Sequence, residues 1–314
     1  MHNHTHSQSE DATRQTLSRL ALSLGLTLAF VAVEALAGVA ANSLALLTDA
    51  AHNLTDVVAL GLSWYAVRLA TRPSNARKTY GYHRAGILVA LVNAATLGII
   101  SLGIFYEAWQ RFLAPPEVQS RILIGVGLVA FVVNLGTALL VKKGSEHDLN
   151  LRSAFVHLMG DVLSTVGAVI AGVVIYFTGA NWLDALASVL IAVLILWNAW
   201  GILRETVDIL LEATPRDVDM NAMIADMAQI KGVLGVHDLH VWSISSSLRS
   251  MSAHILIDDI AISSGAAIQT AINELVVQRY NISHATLQLE CSGCAPDVLY
   301  CDMNEAGYTQ AKGT

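Results

Sequence analysis

The stretch Ser43-Leu-Ala-Leu-Leu-Thr-Asp49-Ala-Ala-His52-Asn-Leu-Thr-Asp56 lies in an otherwise apolar run, and its last device returns as His157-Leu-Met-Gly-Asp161. Each copy is His-x-x-x-Asp, and at an i, i+4 spacing the two side chains share one face of a helix. Two helices presenting one pair each would bring together His52, Asp56, His157 and Asp161. Two imidazole nitrogens with two carboxylate oxygens are the number and type of donor that suit tetrahedral Zn²⁺. One such spacing arises by chance in many chains. Two inside apolar helices point to function, because ionisable groups at membrane depth are costly and mark an ion pathway. The two carboxylates also balance a divalent cation in a medium that penalises net charge. Left empty, the same groups take up protons, so metal and protons compete for one set of donors.

The rest of the chain fits a membrane setting. Of its 314 residues 54% are hydrophobic and 14% charged, with a mean hydropathy of +0.53, too apolar for an ordinary soluble protein. Six apolar stretches reach the roughly 20-residue length that a bilayer requires. They fall at about 17–41, 43–69, 85–106, 122–141, 151–177 and 184–203. Lys and Arg then set the orientation. Arg14 and Arg19, the group from Arg68 to Arg84, Lys142, Lys143 and Arg152, and Arg204 with Arg216 all fall on one side, against Arg111 and Arg121 on the other. The positive-inside rule places both termini in the cytoplasm. Residues 1–16 are polar and His-rich, and the first apolar run is long enough to stay in the bilayer, so a cleavable signal peptide is not expected. The net charge of −7 argues against a nucleic-acid partner.

After about residue 211 the apolar runs shorten and polar residues return, which predicts a small α+β domain in the order α-β-β-α-β. Asp217 is placed to cap a helix carrying Met220, Met223, Ile224 and Met227. Gly235 precedes a strand-like run through Ile244; Met251, Ala253, Ile255 and Ile257 alternate as a second strand would. Ser263 or Ser264 can start a helix with Ile268, Ala271, Ile272 and Leu275, and 285–290 reads as a last strand. The fold expected is an α-helical membrane protein with six transmembrane helices and this C-terminal domain. The expected divisions are a tail at 1–16, a transmembrane domain at 17–210, a metal-binding and dimerisation domain at 211–295 and a polar tail at 296–314.

The quoted second-span stretch resembles the second transmembrane helix of cation diffusion facilitators, and His157-Leu-Met-Gly-Asp161 resembles their fifth-helix motif. Tyr80-Gly-Tyr-His83-Arg84 is similar to the loop before their third helix. His237-Asp-Leu-His240-Val-Trp242 and His284-Ala-Thr-Leu-Gln-Leu-Glu290 look like segments of their cytoplasmic domain. The likeness spans nearly the whole chain and is nearest the zinc-exporting branch. It implies a homodimer in a bacterial inner membrane that exchanges cytoplasmic Zn²⁺ for protons by alternating access, with Cd²⁺ as a further cargo. In the cytoplasmic domain it favours His237, His254 and Glu290 as metal ligands, with His284, Cys291 and Cys294 as additions. It also implies a transient metal position at His83, which the neighbouring Arg and Lys residues would disfavour.

Other residues admit two readings each. Asp49 shares a face with His52 and Asp56; it belongs to a proton or metal route, or it holds His52 in one tautomer. Asn134 is expected to bond across helices, Glu34 and Glu107 to line a vestibule or meet solvent, and Asp184 to cap the sixth span. His237 and His240 are three apart, so a regular strand turns them to opposite faces; His240 beside Trp242 reads as packing. Cys291-x-x-Cys294 serves zinc or redox chemistry, and no thioredoxin-like pattern surrounds it. Cys301 lies in a polar tail. His2, His4 and His6 either concentrate metal near the entry or are inert.

No Walker-type phosphate loop and no His-Glu-x-x-His peptidase signature occurs in the sequence, which leaves ATP without a motif and weakens an intramembrane metalloenzyme. A membrane-anchored zinc sensor is the other alternative, but it does not explain ligands inside the bilayer. The leading expectation is a secondary active transporter and not an enzyme.

Overall fold

The structure is a computed structural model that describes residues 28–142, 149–246 and 248–291, without the side chains of 140, 141, 149–154, 156 and 157. His2, His4, His6, Cys294 and Cys301 lie outside the described residues, as does the side chain of His157. Two compact units result: one runs up to Arg68 and resumes over Leu88–Arg204, the other joins Leu69–Ile87 to the chain from Glu205 onward.

The first unit is helical. Its elements are α1 (Leu28–Ala41), α2 (Leu44–Ala70), α3 (Ala85–Leu113), α4 (Ser120–Lys142), α5 (Leu149–Thr178) and α6 (Trp182–Leu210). Segments Ala85–Leu113, Ser120–Leu139, Leu158–Thr178 and Trp182–Leu210 are each long and apolar enough to cross a membrane. Helix α2, 27 residues long, falls short of that hydropathy because it carries Asp49, His52 and Asp56. Leu36, Ile99, Phe177 and Trp197 point outward, as lipid-facing side chains do.

Inside the bundle alanines, among them Ala41, Ala45, Ala94, Ala168 and Ala171, alternate with larger aliphatic residues such as Leu46, Leu123 and Ile191; the small ones let helices approach closely, which is how membrane helices gain contact. At the contact of α4 and α5 a Cβ on Gly127 would come 2.8 Å from Val169 Cγ2, and one on Gly172 would come 3.0 Å from Leu123 Cγ. Asp184 corrects an expectation. It sits in the first turn of α6 but serves a different helix: its carboxylate accepts from Ser43 Oγ (2.5 Å), Leu44 N (2.6 Å) and Ala45 N (3.4 Å). It therefore caps α2 from across the bundle, with Arg111 Nη1 at 3.7 Å.

The second unit contains α7 (Met220–Ala228), β1 (Val233–Ser243), β2 (Arg249–Ile257), α8 (Ile262–Tyr280) and β3 (His284–Glu290), the predicted α-β-β-α-β order. Asp219, not Asp217, caps α7 by accepting from the amides of Asn221 and Ala222; Asp217 instead meets the Arg249 guanidinium at 2.8 Å. Ala261 precedes helix α8 as its N-cap residue, with no side-chain cap, so neither Ser263 nor Ser264 has that role. The sheet order is β1-β2-β3, with β1 antiparallel and β3 parallel to β2; α8 supplies the crossover that a parallel pair requires. Met223, Met227, Ile268, Ile272 and Val276 cover one face of the sheet together with Leu239, Val241, Met251 and Ile255. The opposite face carries mostly polar side chains, His237, His240, Ser252 and His254 among them, together with Trp242 and Leu256.

Candidate metal centres

Helix α2 presents His52 and Asp56 one turn apart, and α5 presents Asp161 to them. His52 Nε2 lies 3.6 Å from Asp56 Oδ2 and 3.4 Å from Asp161 Oδ1, with the histidine buried. His157 precedes Asp161 by four residues on α5, so its backbone lies on the same helix face. The structure thus brings His52, Asp56 and Asp161 from two helices to one locus of nitrogen and carboxylate donors inside an apolar bundle.

Behind this locus lies a second polar layer. Asn53 Nδ2 donates to Glu34 Oε2 (3.2 Å) and to Asp49 Oδ2 (3.4 Å). Glu34 is fully buried and Asp49 nearly so, and their two carboxyl groups interact with each other directly. Asn53, which has no part in the His-x-x-x-Asp spacing, ties α1 to α2 beside the direct contact of Glu34 with Asp49. Of the single polar groups, Glu107 pairs with Arg111 at 3.2 Å, and the buried Nδ2 of Asn134 has no hydrogen-bond partner among the described residues.

The second centre lies on the open face of the sheet. His237 Nε2 is 3.2 Å from Glu290 Oε2, and His254 Nδ1 is 3.0 Å from Glu290 Oε1. One donor atom from each of the three residues lies within 4.8 Å of the others. His237 is 1% exposed, yet neither of its ring nitrogens has an aligned hydrogen-bond partner. Burying an imidazole without aligned hydrogen bonds is costly, and the nitrogen and oxygen donors gathered here suit a metal ion.

A bulge builds this centre. His237 pairs with His254 and His240 with Ser252, three steps on β1 against two on β2. Asp238 takes up the extra residue at φ 48°, a conformation that Asp tolerates better than most residues. His237 is thereby turned to the face of His254, and His240 shares it. The parity expectation that separated His237 from His240 fails for this reason. His240 is also no packing residue: it is partly exposed, with Nε2 3.1 Å from Asp238 Oδ1. Asp238 itself, 3.6 Å from His254 Nε2 through Oδ2, was invisible to the spacing argument, since nothing in the letters marks the bulge.

His284 does not join them. It begins β3 while Glu290 ends it, about 20 Å away at the rise of a strand, and its ring packs edge-on to Tyr80 at 5.9 Å. Cys291 follows Glu290 as an exposed free thiol. His83 joins no three-donor cluster among the described residues.

The family description "Cation efflux transmembrane domain" matches residues 20–211. The chain belongs to the cation efflux family. A second description, "Cation efflux protein, cytoplasmic domain", matches residues 215–292. The cadmium, cobalt and zinc/H(+)-K(+) antiporter of Bacillus subtilis is 37% identical over 91% of this chain and 91% of its own length. The zinc transporter ZitB of Escherichia coli is 35% identical over 97% and 96%, and the metal cation efflux system protein CzcD of Cupriavidus metallidurans 34% over 88% and 87%. A solved structure of the metal-bound C-terminal domain of the CzcD transporter aligns over 23% of this chain and 99% of its own, at 25% identity and a TM-score of 0.22. The chain is therefore an integral membrane transporter of metal cations and not an enzyme.

Proposed function

We propose that the chain exports Zn²⁺, and also Cd²⁺, from the cytoplasm in exchange for protons by alternating access. The observation that carries this reading is His52 standing between Asp56 and Asp161 on two helices, at 3.6 Å and 3.4 Å. With His157 these residues form the transport site. Its two carboxylates neutralise the divalent ion on entry, and protons replace the ion on the outward-facing side. Rebinding of metal from the cytoplasm then releases those protons inward, so one set of groups couples both flows. Asp49, bridged to Glu34 through Asn53, lies on the route by which protons reach the site.

In the same reading the transmembrane domain spans 17–210 and the metal-binding and dimerisation domain 211–295. Both termini lie in the cytoplasm and the protein is a homodimer in the bacterial plasma membrane. Zinc held by His237, His254 and Glu290 reports cytoplasmic metal and biases the dimer toward transport. The test is Zn²⁺ flux in proteoliposomes under an imposed pH gradient, with an internal pH dye read at the same time. Gradient-driven zinc movement with proton counter-flow, lost in Asp161→Ala, is expected. Zinc flux without proton movement would replace the exchanger with a uniporter.

A further inference from the structure

Within the second unit, the loop between α2 and α3 and the outer face of the sheet enclose a cavity of about 700 Å³ that neither metal centre uses. That volume lies in the range of small-molecule sites. The loop wall carries Arg77, Lys78, His83 and Arg84; the sheet wall carries His240 and Trp242.

The charge in this cavity is not balanced. Its lining contains one carboxylate, Glu212, and Arg84 Nη2 already holds it at 2.9 Å. His240 is bound to Asp238 at 3.1 Å. Arg77 and Lys78 have no carboxylate within ion-pair distance among the described residues. Lys78 Nζ instead lies 4.9 Å from the centre of the Tyr82 ring. The two residues follow one another in a tight turn, in which Asn75 Oδ1 accepts from Arg77 N (3.0 Å) and Lys78 N (3.1 Å), with a backbone bridge between Asn75 and Lys78, and both line the cavity. Like charges kept together in a concave site raise the local potential for an anion and disfavour a metal ion at His83. A guanidinium fork and an ammonium are both suited to phosphate oxygens, while Trp242 and Tyr80 offer flat apolar walls to whatever the phosphate carries.

We propose that this cavity binds a phosphate-bearing anion, with Arg77 and Lys78 as its principal charge partners. Two sources share that chemistry: free phosphate and the headgroup of an anionic lipid. The headgroup is favoured by position, because the loop joins two helices of the membrane domain and juxtamembrane basic clusters attract anionic lipid.

The test uses the full chain in metal-free buffer. In one arm, protein in phosphatidylcholine nanodiscs is titrated with inorganic phosphate by calorimetry; in the other, lipid retained from nanodiscs containing phosphatidylglycerol is counted by native mass spectrometry. Wild type is compared with the double variant Arg77→Ala/Lys78→Ala, with the charge-preserving Arg77→Lys/Lys78→Arg, and with Lys231→Ala, an exposed change outside the cavity. Saturable binding in either arm is expected, weakened about tenfold in the double alanine variant and kept in the other two. Binding in the first arm alone identifies free phosphate as the source, and in the second alone the lipid. Absence of saturable binding in both arms, or a double alanine variant that binds like Lys231→Ala, overturns the proposal.

Discussion

The membrane and cytoplasmic centres use the same kinds of donor and are built in opposite ways. His52 and Asp56 stand four residues apart on one helix, so the local chain alone puts them on one face and a single helix contact adds Asp161. His237, His254 and Glu290 come from three strands, and the set closes only because Asp238 bulges at φ 48°. A helix fixes side-chain direction by spacing; a strand fixes it by register, and one extra residue reverses the result.

The sharpest break between the two centres is functional. Asp161→Asn is expected to lower zinc flux in proteoliposomes by more than about 100-fold, since loss of even an outer partner of a metal site costs 10- to 100-fold. His237→Ala with His254→Ala should lower flux far less, by under about tenfold, and flatten its zinc dependence, because it removes the zinc-induced bias and leaves the transport ligands in place. Equal losses in both variants would erase the distinction. In that cytoplasmic variant, equilibrium dialysis should find fewer zinc ions per chain than in wild type. It should also remove the zinc-dependent stabilisation of the domain, about 3 kcal/mol at a hundredfold excess over the dissociation constant, read as a thermal shift on zinc addition.

A second comparison concerns what holds each unit up. Asp184→Ala deprives Ser43 Oγ and the amides of Leu44 and Ala45 of their acceptor, and is expected to cost about 2 kcal/mol, measured by thermal unfolding in detergent. Asp238→Val puts a β-branched residue at φ 48° and should cost about 1–2 kcal/mol. It should also weaken zinc binding at His237, which Asp184→Ala leaves intact.

A further expected effect is one of pH. Burial, and then the hydrogen bond its hydroxyl donates to Asp226, push the Tyr280 phenol up to about 12 from 10. The folded domain therefore holds that proton more tightly than the unfolded chain. The corresponding stability is fully present below pH 10 and is lost as pH rises from 10 toward 12. Urea unfolding of wild type should show this decline, and Tyr280→Phe should flatten it.

Much of this was legible in the letters. The helices, the α-β-β-α-β order and the small domain's core followed from periodicity, because Met223, Met227, Ile268 and Ile272 recur at helical spacing and Met251, Ala253 and Ile255 alternate. The pairing of His52 with Asp56 followed from i, i+4 geometry. Less was legible wherever a partner came from far along the chain. Asp184 reads as a cap for its own helix, yet its acceptors serve α2, about 140 residues earlier. Asp217 was as good a capping residue as Asp219 until Arg249 claimed it. His240 read as packing until the bulge turned it outward.

Sequence by itself determined that this chain is a helical membrane protein with paired His and Asp on its second and fifth helices, because apolar length and a four-residue spacing are local properties. Only the tertiary structure decided that Asp161 comes to His52, that His237 faces His254 and Glu290, that His284 stands apart, and that Arg77 and Lys78 line a cavity. Each of these depends on helix contact, strand register or loop packing, and those are settled by how distant segments meet.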